Sequence, residues 1–144
     1  AKAGTLFEQA FTAVDGKVDA VLAPNDNNAA SIIAILDKNG LTVPVSGQDA
    51  SVAGLQNVLL GKQWATVYKP FKVEAKAAAD LAIKILKGEK PTFDKKNNGV
   101  PFLALDPIAT TADLVKDVVA AGDAKAAELC VGDVAAKCTE FGVN

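Results

Sequence analysis

The sequence has no histidine and no methionine, and every one of its 15 basic residues is a lysine, so arginine is missing as well. Without histidine there is no Ser-His-Asp triad, no imidazole ligand for zinc and no Cys-His nucleophile pair. Without arginine there is no bidentate guanidinium clamp for phosphate or carboxylate. The apolar runs fall far short of the roughly 20 residues that a membrane-spanning helix needs. A net charge of −2 with no basic block argues against nucleic acid or an anionic membrane as partner. The two cysteines, Cys130 and Cys138, are too few for a metal site and too far apart for a CxxC redox motif. They leave two readings open: buried free thiols, or a short-loop disulfide in an oxidising compartment. The lack of methionine also leads us to expect that Ala1 is not a translation start, and that the N-terminus has been processed, cleaved or engineered with no signal peptide remaining.

What is present is one domain's worth of globular chain, 144 residues of which half are apolar. Leu6, Phe7, Ala10, Phe11 and Val14 recur at helical spacing over 3–14, and Ala29, Ile32, Ile33 and Leu36 do so over 27–39. Further helices are expected over 51–60 and 71–87, closed by Gly61 and Gly88. Short β-rich segments at 18–23, 41–46 and 63–68 fall between them, 94–99 reads as a polar turn, and 101–108 as a fourth extended segment. In the tail, Thr110 with Asp113, then Asp123, then Asp133 stand where caps would start three short helices. This alternation predicts an α/β fold with a mainly parallel sheet and helices on both faces, a three-layer αβα sandwich.

Ligands of such sheets bind beyond the carboxyl ends of the strands. Those ends carry Pro24-Asn25-Asp26-Asn27-Asn28, Gly47-Gln48-Asp49 and Tyr68-Lys69-Pro70. The Asn25 amide, the Asp49 carboxylate and the Lys69 ammonium would meet on one rim. That trio suits a polyol, because a carboxylate accepts from vicinal hydroxyls, an amide donates and accepts, and an ammonium donates three ways. Plainer roles compete: Asp26, Asn27, Asp49 and Ser51 are cap candidates, Asn25 fits turn chemistry, and Trp64 and Tyr68 read as core residues on one strand face.

The run VDAVLAPNDNNAASIIAILDKNGLTVPVSGQDAS, followed by QWATVYKP, resembles the type I periplasmic sugar-binding proteins of bacterial ABC importers, and within them the D-xylose-binding subfamily. The resemblance continues through LKGEKP, VPFLALDPIATTADL and the cysteine tail, so it spans essentially the whole chain. It implies a monosaccharide held between two lobes, with Asn25, Asp49 and Lys69 as this lobe's ligands and Asp26 as a structural cap. Lys69 within YKP resembles the xylose type, whereas ribose-type relatives place an amide there. It further implies a Cys130–Cys138 disulfide, an ABC permease as partner, no catalytic residue, no metal and no cofactor. The implied location is periplasmic or extracytoplasmic, with a lipid anchor on the full-length form as one option.

The resemblance also divides the chain. Residues 1–69 correspond to the end of the second sugar-binding lobe. Residues 70–100 correspond to a hinge-crossing helix that packs on the absent first lobe, and 101–144 to a return strand and the cysteine tail. We therefore expect the face Phe71, Ala75, Ala78, Ala82 and Ile85 or Leu86 to be covered by the missing lobe as a second polypeptide, or by a swapped homo-oligomer. Two other classes share this fold: an extracytoplasmic sugar sensor or LacI-type effector domain, and an α/β enzyme. The enzyme reading lacks a phosphate loop, a metal cluster or an activated nucleophile.

Overall fold

The computed structural model describes residues 2–93 and 95–144. Ala1, the expected processed terminus, and Asp94, the first residue of the expected 94–99 turn, lie outside the described residues. The elements follow in the order α1 (Lys2–Ala13), α2 (Asp26–Lys38), α3 (Val52–Leu59), β1 (Thr66–Tyr68), α4 (Phe71–Leu86), β2 (Lys95–Asn97), β3 (Val100–Phe102), β4 (Ile108–Thr110), α5 (Val115–Ala120), α6 (Ala126–Leu129) and α7 (Val134–Phe141). They form two compact units. One runs up to Tyr68 and resumes with Ile108–Asn144; the other is Lys69–Pro107.

In the first unit, the helices fall where apolar spacing predicts them, and side chains set their starts. Asn25 caps α2, its Oδ1 accepting the Asn28 N–H at 3.0 Å, and Ser51 caps α3 through the Gly54 N–H. The stripe Ala29, Ile32, Ile33 and Leu36 packs with Ala23 and Val45, flanked by Phe7 and Phe11 of α1. A second cluster joins Leu55, Val58 and Leu59 of α3 to Tyr68, Val115, Val118, Leu129 and Val134.

The three segments expected to run parallel lie side by side, with little regular strand. Val21 and Val45 form one parallel bridge, Trp64 N donates to Val45 O at 2.8 Å, and Val67 N donates to Gly47 O at 3.2 Å. Regular pairing begins only at β1, whose partner β4 is antiparallel, with Thr66 opposite Thr110 and Tyr68 opposite Ile108. Pro44 shortens the ladder because it supplies no N–H, and Leu22 of the first segment is 92% exposed. Trp64 departs from the expected core placement: it lies before β1 rather than within it and is 71% exposed, whereas Tyr68 is buried.

Several caps also differ from expectation. Thr110 is buried in β4, its hydroxyl donating to the Ile108 carbonyl at 3.3 Å, so Thr111 takes the position before the 3-10 turn Ala112–Leu114 that leads into α5. Asp123 does not cap α6, which starts after Lys125; its carboxylate accepts the Tyr68 hydroxyl instead. Asp133 precedes α7 without a side-chain cap bond, and Gly142 closes that helix at φ 67°. A disulfide joins Cys130 to Cys138 and ties the end of α6 to α7.

In the second unit, α4 buries none of its residues, and Phe71, Ile85 and Leu86 are respectively 58%, 57% and 85% exposed. The expected polar turn is instead the hairpin β2–β3, because Asn98 and Gly99 both adopt positive φ, the geometry that a two-residue hairpin turn demands. The expected extended segment 101–108 is broken into β3 and β4 ahead of Ile108, next to Pro107, which has no donor for a ladder.

Candidate functional site

The candidate site is organised around Asp26, the first residue of α2, which is 2% exposed. Its Oδ2 accepts from Ser51 N at 2.8 Å and Ser51 Oγ at 3.1 Å; its Oδ1 accepts from Gln63 Nε2 at 2.9 Å and Thr66 Oγ1 at 2.8 Å. Four donors fill the four acceptor positions of one carboxylate. Asp26 is thus structural as expected, although the cap of its own helix is Asn25. It reaches forward instead and holds Ser51, the cap of α3. Two glycines make room for it. A Cβ on Gly54 would stand 2.1 Å from Asp26 Oδ2, and one on Gly47 would stand 2.1 Å from Gln63 Nε2.

This node joins two of the three expected ligand turns. Asp26 N donates to Gln48 O at 3.0 Å, so the turn bearing Asn25 is bonded to the turn bearing Asp49. Asn25 is half-buried; its Oδ1 is used by the cap, and its Nδ2 group remains as a donor. Asp49 is exposed at φ 98°, and Ala50 follows at φ 49°. Asp49 N donates to Val67 O at 2.9 Å, and Ala50 N donates to the Thr66 hydroxyl at 3.1 Å. Neither Asp49 nor Asn27 caps a helix; Asn25 and Ser51 fill those positions.

Lys69 directly follows β1 and opens the second unit, where it is half-buried. There it borders a cavity of about 180 Å³ together with Pro70, Val73, Glu74 and Asp106. A larger groove of about 440 Å³ in the first unit, bordered by Pro44, Trp64, Asp113 and Phe141, contains none of the expected ligand residues. Sequence reasoning missed Gln63 and Thr66, both buried with Asp26. The available signal was two polar side chains within the otherwise β-rich segment 63–68.

Tyr68 anchors the chain just before Lys69. Burial, then the hydrogen bond to Asp123 and that carboxylate's charge, push its pKa from 10.0 up to about 12. The raised value means that the folded state holds the proton more tightly than the unfolded chain. The stabilisation is complete below pH 10.0 and is lost as pH rises towards 12. Tyr68 is the only tyrosine, so tyrosinate absorbance reports it alone. An alkaline titration of the folded chain is expected to reach its midpoint near 12, with the band absent from Tyr68→Phe. A midpoint at 10.0 with the circular dichroism still native would refute the buried pairing.

Among the described residues no group of His, Cys, Asp and Glu side chains could hold a metal, and no helix is long and apolar enough to cross a membrane. Residues 1–90 match the family described as periplasmic binding protein domain. The chain is 41% identical over 120 residues to the D-xylose-binding periplasmic protein of Escherichia coli (strain K12), covering 79% of this chain and 36% of that protein. It is 40% identical over 124 residues to the D-xylose-binding periplasmic protein of Haemophilus influenzae, covering 82% and 37%. A carbohydrate transporter solute binding protein from Chloroflexus aurantiacus, solved in complex with D-glucose, superimposes with a TM-score of 0.78 at 29% identity, over 88% of this chain and 40% of that one. The match thus spans little more than a third of the length of these curated relatives.

Proposed function

We propose, because this chain belongs to the periplasmic binding protein domain family, that it forms part of one lobe of a sugar receptor serving an ABC importer, with D-xylose as ligand. The receptor captures a monosaccharide between two lobes and presents the closed form to the membrane permease. In this reading Asp49 accepts from two vicinal hydroxyls, while the Asn25 amide and the Lys69 ammonium donate to neighbouring sugar oxygens. The observation that carries the reading is the direct bonding of the Asn25 turn to the Asp49 turn through Asp26. Two turns tied together by a buried node support a polyol site that is organised before the sugar arrives. The periplasm, or another extracytoplasmic compartment, fits both the xylose-binding relatives and the disulfide.

The protein is read as a receptor and not a catalyst, since nothing in this set of groups supplies an activated nucleophile. The exposed apolar face of α4 is read as the surface that the rest of the parent protein covers, as a second polypeptide or through a swapped copy. Calorimetric titration of D-xylose into the full-length protein tests the function. Saturable one-to-one binding is expected, with the sugar recovered chemically unchanged. No heat with xylose or any other monosaccharide would overturn the sugar reading, and turnover of the sugar would replace the receptor with an enzyme.

A further inference from the structure

We propose that Thr66 is a positioning residue for sugar binding: its hydroxyl couples the buried Asp26 carboxylate to the Asp49–Ala50 turn and thereby fixes where the Asp49 carboxylate stands. The inference rests on the sugar-binding reading above. Thr66 is 0% exposed. Its Oγ1 donates to Asp26 Oδ1 at 2.8 Å and accepts from Ala50 N at 3.1 Å, so its one donor is spent on the node and an acceptor position on the turn. Asp26 Oδ1 is held from another side by Gln63 Nε2 at 2.9 Å, which keeps the acceptor that Thr66 needs in place.

The turn requires such a hold. Asp49 at φ 98° and Ala50 at φ 49° are consecutive non-glycine residues in a region that L side chains rarely adopt. A backbone of this kind persists only where its surroundings over-determine it. Three successive N–H groups supply that constraint: Asp49 N on Val67 O, Ala50 N on Thr66 Oγ1, and Ser51 N on Asp26 Oδ2. Two of the three acceptors are backbone or the node itself. Only the middle one is a side chain that a point substitution can remove while leaving β1 and the Asp26 carboxylate in place. Without it, Ala50 can relax towards negative φ and carry Asp49 with it, and a binding group displaced by about an ångström loses most of its contribution.

The test is D-xylose calorimetry on the full-length protein with Thr66→Val, Thr66→Ser, Asp49→Asn and the double variant Asp49→Asn/Thr66→Val. Thr66→Val is expected to weaken xylose about tenfold or more, and Thr66→Ser, which keeps the hydroxyl, to stay within about threefold of wild type. In the Asp49→Asn background the Val substitution is expected to cost far less, because Thr66 acts through Asp49. A purely structural role would lower the melting temperature without that dependence on Asp49. Should the Val variant not fold, Thr66→Ala is read in its place, with the same expected loss. Equal losses in the hydroxyl-free and Ser variants, or a loss beyond tenfold in Thr66→Ser alone, would overturn the inference. Asp49→Asn weakened with Thr66→Val unchanged would remove the positioning role and leave the sugar site standing. Wild-type affinity in Asp49→Asn would remove the sugar site as drawn, and the inference with it.

Discussion

Replacing Asp49 by alanine in the full-length protein is expected to abolish measurable D-xylose binding. A carboxylate that accepts from two vicinal hydroxyls contributes roughly 1.5–3 kcal/mol per bond once water is excluded. Losing both therefore weakens binding by about a hundredfold or more, at 1.4 kcal/mol for each tenfold. The fold is expected to tolerate the change, because Asp49 is exposed and its backbone N–H still bonds to Val67 O. The variant does place an alanine at φ 98°, where aspartate is better accommodated. Asp49→Asn is the companion variant, since asparagine accommodates that backbone about as well and loses only carboxylate character. Near wild-type affinity in Asp49→Ala, measured by calorimetry on protein with a native circular dichroism spectrum, would show that this carboxylate does not touch the sugar.

The second large effect is on stability. Asp26→Ala is expected to destabilise the protein by about 4 kcal/mol and to lower its melting temperature by more than about 10 °C. The substitution removes the acceptor for Gln63 Nε2, for the Thr66 hydroxyl and for both Ser51 donors, in a region where Gln63 and Thr66 are 1% and 0% exposed. Each buried donor left without a partner costs about 1–3 kcal/mol, and the sum falls short of simple addition because Gln63 also donates to Ala65 O. It also unties the start of α3 from the start of α2. Differential scanning calorimetry of Asp26→Ala against wild type checks this, and a melting temperature within about 2 °C of wild type would show the network to be dispensable. The Asp49 and Asp26 variants separate the roles: Asp49 is expected to move affinity, Asp26 stability.

Much of this was legible in the chain itself. The helices fall within a residue or two of the windows read from the spacing of Leu6, Phe7, Ile32, Ile33, Leu55 and Val58, because a helix is a local structure whose apolar stripe recurs along the sequence. The strand-end turns bearing Asn25 and Asp49 were legible for a related reason: each follows a β-rich run and precedes a helix start, with its caps nearby. Strand extent was not. A ladder exists only where a neighbour supplies the complementary groups, and Pro44 has no N–H to supply. The Asn98-Gly99 hairpin carried a local signal, a dipeptide suited to two positive φ values, that the reading as a simple polar turn passed over.

The sequence by itself determined the helices and the positions of the polar turns from which Asn25, Asp49 and Lys69 are proposed as ligands, since spacing, caps and side-chain chemistry act over a few residues. Tertiary structure alone decided that Asp26 is a buried node, that Gln63 and Thr66 serve it, and that Trp64 faces solvent. Asp26 meets Gln63 and Thr66 across 37 and 40 residues of chain, and Ser51 across 25. Tertiary structure likewise decided that Asp123 binds Tyr68, 55 residues away, instead of capping α6. The physical reason is common to these cases: a short polar side chain offers the same donors and acceptors to a cap, a turn or a distant partner. Which of them it serves depends on what folding brings within hydrogen-bond reach and seals from water.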